Sequence, residues 1–139
     1  MKYEKSCGAV IMRKNTDNNI EVLLVSMKNG GHFSFPKGHV EGDETELETA
    51  AREILEETKL EVEFLDGFRM TTGYSPAKDV FKDVIYFAAT PVTDEIKKQD
   101  AEILDIGWFP AEKAVEKVTF ENDKKILTEA LQFFAGRIS

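Results

Sequence analysis

The run Cys7-Gly8-Ala9-Val10-Ile11-Met12 contains no charged residue and no polar alternation, and it stops at Arg13-Lys14. An apolar stretch this short reads as a β-strand, and a strand without polar positions is buried on both faces. A sheet built around it needs a covering layer on each side. The remaining chain supplies both. Asn15 to Asn19 form a turn cluster, and Ile20 to Met27 make a second strand able to pair with the first as a hairpin. Asn29-Gly30-Gly31 ends it, and a short piece, His32 to Phe35, precedes Pro36. After the loop Lys37 to Asp43, Thr45 and Glu48 form a capping box that starts a helix. Its expected packed face is Leu47, Ala50, Ala51, Ile54, Leu55 and Thr58.

From Leu60 the pattern turns to alternation. Leu60, Val62, Phe64 and Leu65 suggest a strand, and Gly67-Phe68-Arg69-Met70 leads on to Tyr74. Tyr74 sits among Gly73, Ser75 and Pro76, a composition that predicts an exposed turn. Val80 to Thr90 and Ile103 to Phe109 read as further strands. Pro110 opens a short helix, and an amphipathic helix runs from about Glu121 to Gly136 with Ile126, Leu127, Ala130, Leu131, Phe133 and Phe134 as its apolar side. The expectation is an α+β fold, a mixed sheet between helices in an α/β/α sandwich, with residues 1–139 as one domain.

The 139 residues and a hydrophobic fraction of 42% suffice for one core. No apolar run approaches the ~20 residues of a membrane span, and the first residues lack a secretion signal. With one cysteine, Cys7, no intrachain disulfide can form. Cytoplasmic residence is the expectation. A net charge of −8 does not suit stable binding to nucleic acid. It leaves a polyanionic substrate open, because a cation and a few lysines can invert the potential in one cleft.

The chemistry is concentrated in Gly38 to Leu60. Glu53, Glu56 and Glu57 stand at i, i+3 and i+4, so they project from one side of the helix, which the pattern sets opposite much of the apolar stripe. Taken alone, three such glutamates usually make a solvated acidic face. Carboxylates this close repel one another unless a positive charge sits among them. A hard divalent cation, Mg²⁺ with Mn²⁺ as the alternative, is a natural occupant that shares its oxygen ligands with substrate phosphates.

The spacing around them resembles the Nudix family, whose box reads G-x5-E-x7-R-E-U-x-E-E-x-G-U with U aliphatic. Gly38, Glu44, Arg52, Glu53, Ile54, Glu56, Glu57 and Leu60 stand at the required positions, and Lys59 replaces the second glycine. That glycine would cap the helix in a left-handed conformation, so Lys59 touches geometry and supplies no ligand. The resemblance implies that Glu53, Glu56 and Glu57 hold metal, with one of them also handling the attacking water. Gly38 would bring a backbone carbonyl to the metal. Arg52 would hold the carboxylates in place, and Glu44 would orient Arg52 or the helix start. Such a metal would polarise phosphoryl oxygens and neutralise charge on the leaving group, with no side-chain nucleophile required.

The flanks are similar to the asymmetric diadenosine tetraphosphate hydrolases of that family. The likeness includes Cys7-Gly8, Phe35-Pro36-Lys37-Gly38-His39-Val40-Glu41, Leu47-Glu48-Thr49-Ala50, Gly67-Phe68, Val84-Ile85-Tyr86 and Trp108. It implies that Lys37 and Lys82 meet phosphate, that Tyr74 and Phe120 sandwich a base by stacking, and that Glu102 adds a carboxylate from outside the helix. Asp100 and Asp105 compete with Glu102 for that role. His32 would hydrogen-bond phosphate, against a reading as an ordinary loop residue. Lys82 could equally be solvated and Phe120 a core contact.

The expected function is therefore Mg²⁺-dependent hydrolysis of diadenosine tetraphosphate to ATP and AMP, with a nucleotide as the small-molecule partner. A second possibility is a Nudix pyrophosphatase acting on oxidised or ordinary nucleoside triphosphates, RNA 5′ ends or nucleotide sugars. Oxidised-base hydrolases need polar groups reading the base edge, whereas an aromatic pair would only stack. A third is a catalytically silent domain that senses a nucleotide. The intact set of box glutamates speaks against it.

Overall fold

The structure is a computed structural model that describes residues 1–27, 32–93, 96 and 103–138. Among these the chain forms β1 (Lys2–Lys14), β2 (Ile20–Met27), β3 (Phe33–Ser34), β4 (Lys37–His39), α1 (Glu46–Thr58), β5 (Val62–Ala77), β6 (Val80–Pro91), β7 (Ile103–Pro110), α2 (Ala111–Lys117) and α3 (Glu121–Ile138). All seven strands join one sheet whose spine runs β3-β2-β1-β6-β5. β6 lies parallel to β1 from Lys2↔Val80 to Ile11↔Ala89. The opposite edge of β1 is divided. Ser6 to Gly8 pair with β4, and Met12 to Lys14 pair with β2 as the expected hairpin. β7 adds to β2 on its far side.

Strand alternation splits the core in two. Cys7, Ala9 and Ile11 of β1, with Leu23, Ile85, Phe87 and Ala89, pack on Ala50 and Ile54 of α1. Val10 and Met12, with Val22, Leu24, Val84, Tyr86 and Ala88, pack on Ala114 of α2 and Ile126, Leu127, Ala130 and Phe134 of α3. The apolar run in β1 thus feeds both layers, and the mixed sheet lies between α1 on one face and α2 with α3 on the other. Each fully buried Ile or Leu contributes about 1.5–3 kcal/mol. No helix among the described residues is long and apolar enough to cross a membrane.

Two expectations fail here. Leu47 and Leu55 are 46% and 47% exposed, and Ala51 is exposed, whereas the buried positions of α1 are Thr49, Ala50, Ile54, Glu57 and Thr58. At 100° per residue Glu57 lies about 20° from Ala50 around the helix, and Leu55 about 140° away. The glutamates therefore border the buried stripe and do not oppose it. Tyr74, expected in a turn, is in β5 opposite Lys82. Pairing with β6 overrides the turn-like composition, and the reversal falls at Lys78-Asp79, with Asp79 at φ 60. β5 also carries an irregularity at Asp66 to Phe68, where Leu65 pairs with Ala88 and Arg69 with Phe87. Gly67, at φ +100, takes the conformation that a side chain would resist.

Candidate active site

α1 is fixed at its start by the reciprocal Thr45–Glu48 capping box, and at its end Lys59 takes the left-handed cap at φ 68, its N–H donating to Leu55 O. Within this frame Arg52 is the hub. Its Nε donates to Glu44 Oε2 at 2.7 Å and its Nη2 to Glu44 Oε1 at 3.0 Å, a two-pronged carboxylate grip. Nη2 also donates to the His39 carbonyl on β4 at 2.9 Å. Nη1 reaches Glu53 Oε1 at 2.9 Å and Glu56 Oε2 at 3.3 Å. Glu44 accepts further from Thr49 Oγ1 and the Glu41 N–H. The Arg52 guanidinium, followed by the Glu41 N–H, holds the Glu44 carboxyl down at about 2.

Glu53 turns toward β4. A Cβ placed on Gly38 would stand 2.0 Å from Glu53 Cδ and within 2.3 Å of both its oxygens. The carboxylate occupies the room a side chain would need, which is why position 38 is glycine. Gly8, part of the family likeness in the first strand, is a parallel case whose close approach only the fold reveals. Its Cβ would meet the Pro36 carbonyl at 2.0 Å, so β1 and the Pro36-Lys37 backbone approach as closely as glycine allows.

Glu53, Glu56 and Glu57 share one turn, with Glu57 only 5% exposed. Their hard oxygen donors, one of them set deep in the protein and one against a bare backbone, form a donor set that fits Mg²⁺. As the side chains stand, no three His, Cys, Asp or Glu groups among the described residues converge at ligand spacing. Arg52 holds Glu53 and Glu56 instead. Glu102 and Asp100 lie outside the described residues. Asp105 is exposed, and its carboxylate accepts the Ile106 N–H. Arg13 stacks 4.0 Å above the Trp108 ring.

On the sheet face that carries α2 and α3 lies a cavity of about 360 Å³ that gathers His32, Lys37, Tyr74 and Phe120 from four separate segments. Tyr74 and Phe120 are 45% and 51% exposed, so Phe120 is no core contact. The His32 ring lies 4.7 Å from that of Phe120 at 50°. Lys82 does not line the cavity. It points to the same face of β6 as the cavity residues Val84 and Tyr86, one position further along. Lys37 lines the cavity while its neighbour Gly38 backs onto Glu53, so the two sites meet at β4. A second hollow of about 380 Å³, near Leu47, Phe64 and Phe87, touches none of the α1 glutamates.

Sequence reasoning missed the polar floor of the first cavity. Ser34 Oγ donates to Asp123 Oδ2 at 2.9 Å. The Tyr86 hydroxyl is fully buried beside this pair, and burial followed by the charge of Asp123 holds it well above the ordinary tyrosine value. Asp123 is 7% exposed, and burial pushes its carboxyl above the ordinary value despite the bond from Ser34. A signal existed. Asp123 precedes Ile126, Leu127 and Ala130 at helical spacing, so an acid occupies the apolar stripe of α3.

Comparison with known proteins agrees with this architecture. The NUDIX domain model matches residues 2–131. The chain is 37% identical to the asymmetrical bis(5′-nucleosyl)-tetraphosphatase of Rattus norvegicus, over 95% of this chain and 96% of that protein. Its fold superposes on a C. elegans Ap4A hydrolase binary complex with a TM-score of 0.87 at 29% identity, covering 96% and 98% of the two chains. The NUDIX domain of Shewanella oneidensis NrtR, complexed with ADP ribose, shares the fold at a TM-score of 0.78 and 20% identity, with 96% and 90% covered. Nudix hydrolases generally use divalent metal cations. Box, fold and relatives agree that the chain belongs to the Nudix family of hydrolases.

Proposed function

We propose that this enzyme hydrolyses diadenosine tetraphosphate asymmetrically, water and the dinucleotide giving ATP and AMP, with Mg²⁺ as its metal. The observation that carries the substrate is the cavity, where two half-exposed aromatic rings remote in sequence, Tyr74 and Phe120, accompany Lys37, whose neighbour Gly38 abuts Glu53 of the glutamate helix. Aromatic rings and a cation lining one cavity suit a base and the phosphates that follow it. The relatives named above, similar over nearly their whole length, support the same substrate.

In this reading Glu53, Glu56 and Glu57 would hold the cation, Gly38 would bring its backbone carbonyl to it while leaving room for Glu53, and Glu102 would add a further carboxylate. The chemistry a divalent cation supplies when bound is charge neutralisation and Lewis-acid polarisation of the phosphoryl oxygens. Arg52 keeps the glutamates aligned through its grip on Glu44 and its bond to the His39 carbonyl. Those two anchors do not involve Glu53 or Glu56, so Arg52 would retain them if both glutamates held a cation. Lys37, with Lys82 at the outer edge and His32 at the rim, binds phosphate and orients it for attack by water, and positioning carries the reaction. One glutamate of the α1 set takes the proton of that water.

Product analysis tests this. The purified protein is incubated with Mg²⁺ and diadenosine tetraphosphate, nucleoside triphosphates, ADP-ribose or triphosphorylated RNA, and products are separated by ion exchange. ATP and AMP in equal amounts, formed faster than any product from the other substrates, are expected. Monophosphate and pyrophosphate from a triphosphate as the dominant reaction would replace the substrate and retain the metal site. No turnover with Mg²⁺ or Mn²⁺ would favour a nucleotide sensor.

A further inference from the structure

A carboxylate is an odd group to find in the floor of a phosphate-binding region. Asp123 is 7% exposed, lines the same cavity as Tyr74 and Phe120, and is held by Ser34. It is the one acid lining that cavity among the described residues. An anion there repels a phosphate, so the polyphosphate must run toward Lys37 and away from Asp123. The parts of a nucleotide able to approach a buried carboxylate are its donors, the N–H groups of a base edge and the ribose hydroxyls, and in a cavity that stacks the base the base edge is the one brought to the wall. Burial without full compensation is costly, and such a group is retained where a ligand's donor completes it.

We propose that Asp123 reads the edge of the base that stacks in this cavity, accepting a hydrogen bond from the 6-amino group of adenine. The proposal rests on the reading that the cavity takes a nucleobase, and it adds a specificity determinant to the stacking pair. Ser34 occupies Oδ2, and no hydrogen bond among the described residues reaches Oδ1. One oxygen is thus wholly available, which matches the single amino donor that adenine presents at position 6. The Watson–Crick edge of guanine offers two adjacent donors and asks for both oxygens. Hypoxanthine puts a carbonyl where adenine has its amino group, and that oxygen would face the carboxylate. A stacking slot tolerates any base, whereas a buried acceptor fixed opposite position 6 favours the base with its donor there, since hypoxanthine offers its donor only at N1 and must shift to present it.

Equilibrium binding of ATP, ITP and GTP by calorimetry decides the matter, on the wild type, on Asp123→Asn and on Ser34→Ala. The wild type is expected to bind ATP at least about tenfold more tightly than ITP and more tightly than GTP, as a hydrogen bond to a charged group implies. Asp123→Asn keeps the shape and can turn an amide N–H toward a base carbonyl, so its ATP to ITP ratio should fall to within about threefold. Ser34→Ala leaves the carboxylate and should keep the preference. Equal binding of ATP and ITP by the wild type would overturn the proposal whether or not the variants fold. So would an unchanged ratio in a folded Asp123→Asn, or tighter binding of GTP. Binding of none of the three would remove the cavity reading and the proposal together. Product analysis decides the reaction and these ratios decide Asp123, so either can fail alone.

Discussion

Gly38 and Gly8 are both positions where a methyl group has no room, but different atoms stand in the way. At Gly38 the obstacle is the far end of Glu53, with atoms at 2.0 to 2.3 Å from the added carbon. A carboxylate on a flexible stem can swing aside. Gly38→Ala should therefore change the denaturant midpoint little and reduce turnover at least about tenfold, because Glu53 is driven from its place. At Gly8 the obstacle is the Pro36 carbonyl at 2.0 Å, which is backbone in the middle of the sheet. Gly8→Ala should cost about 1–3 kcal/mol of stability or more. Urea unfolding and turnover measured on both variants check the contrast, and similar stability losses in the two would contradict it. For the glutamates, Glu56→Gln and Glu57→Gln should each lose at least ~100-fold in turnover with the fold retained, since displacing the metal removes a large electrostatic term. Near-wild-type rates in both, with normal circular dichroism, would sink the site assignment.

The end of α1 stores strain that another residue would relieve. Lys59 holds φ 68, a conformation that costs a residue with a Cβ about 1 kcal/mol and costs glycine almost nothing. Lys59→Gly should stabilise the protein by roughly 0.5–1 kcal/mol, read as a higher urea midpoint at unchanged slope, and a lower midpoint would show that the Lys59 side chain outweighs its backbone strain. This cap was legible in the sequence, because the box spacing placed position 59 just beyond the helix. So were the capping box, the hairpin and the burial of β1 on both faces, each fixed by residues close together in the chain. Less legible was anything decided by pairing across the sheet. The Gly73, Ser75 and Pro76 neighbourhood of Tyr74 spoke for a turn, and only β6 running alongside makes it strand. The inner face of α1 was misread because Leu47 and Leu55 carried the apolar count, although the helical angle puts Glu57 beside Ala50. Asp123 was overlooked because an acid in the first turn of a helix is commonplace. Its meaning comes from Ser34, which bonds it, and from the cavity it lines with Tyr74 and Phe120; Ser34 and Tyr74 are distant from it in sequence and near it in the fold.

At the scale of the whole molecule, charge and pH act in opposite directions over different ranges. The chain carries −8 at pH 7, and the self-repulsion this implies is relieved as protons bind on the way down to about pH 5. Below that, two ion-paired glutamates dominate. Arg52 holds Glu44 at about 2, and Arg69, which donates to both Glu46 oxygens, holds Glu46 at about 2 with help from Lys5. In both, the folded value lies below the ordinary 4.5, so the unfolded chain binds more protons between the two. The stability they contribute is complete above about pH 4.5 and is lost as pH falls toward 2. Asp123 has the opposite sign, since its folded value is raised, so its contribution is present at low pH and lost as pH rises. It therefore softens the acid loss without reversing it. Thermal melts from pH 7 to 2 should show a midpoint that changes little or rises slightly to about pH 5 and then falls steeply. The double variant Glu44→Gln with Glu46→Gln should melt lower than the wild type at pH 7 and decline less below pH 4.5, the two curves converging near pH 2. Two parallel curves would mean that these pairs contribute nothing specific and that acid sensitivity belongs to the charge of the molecule as a whole.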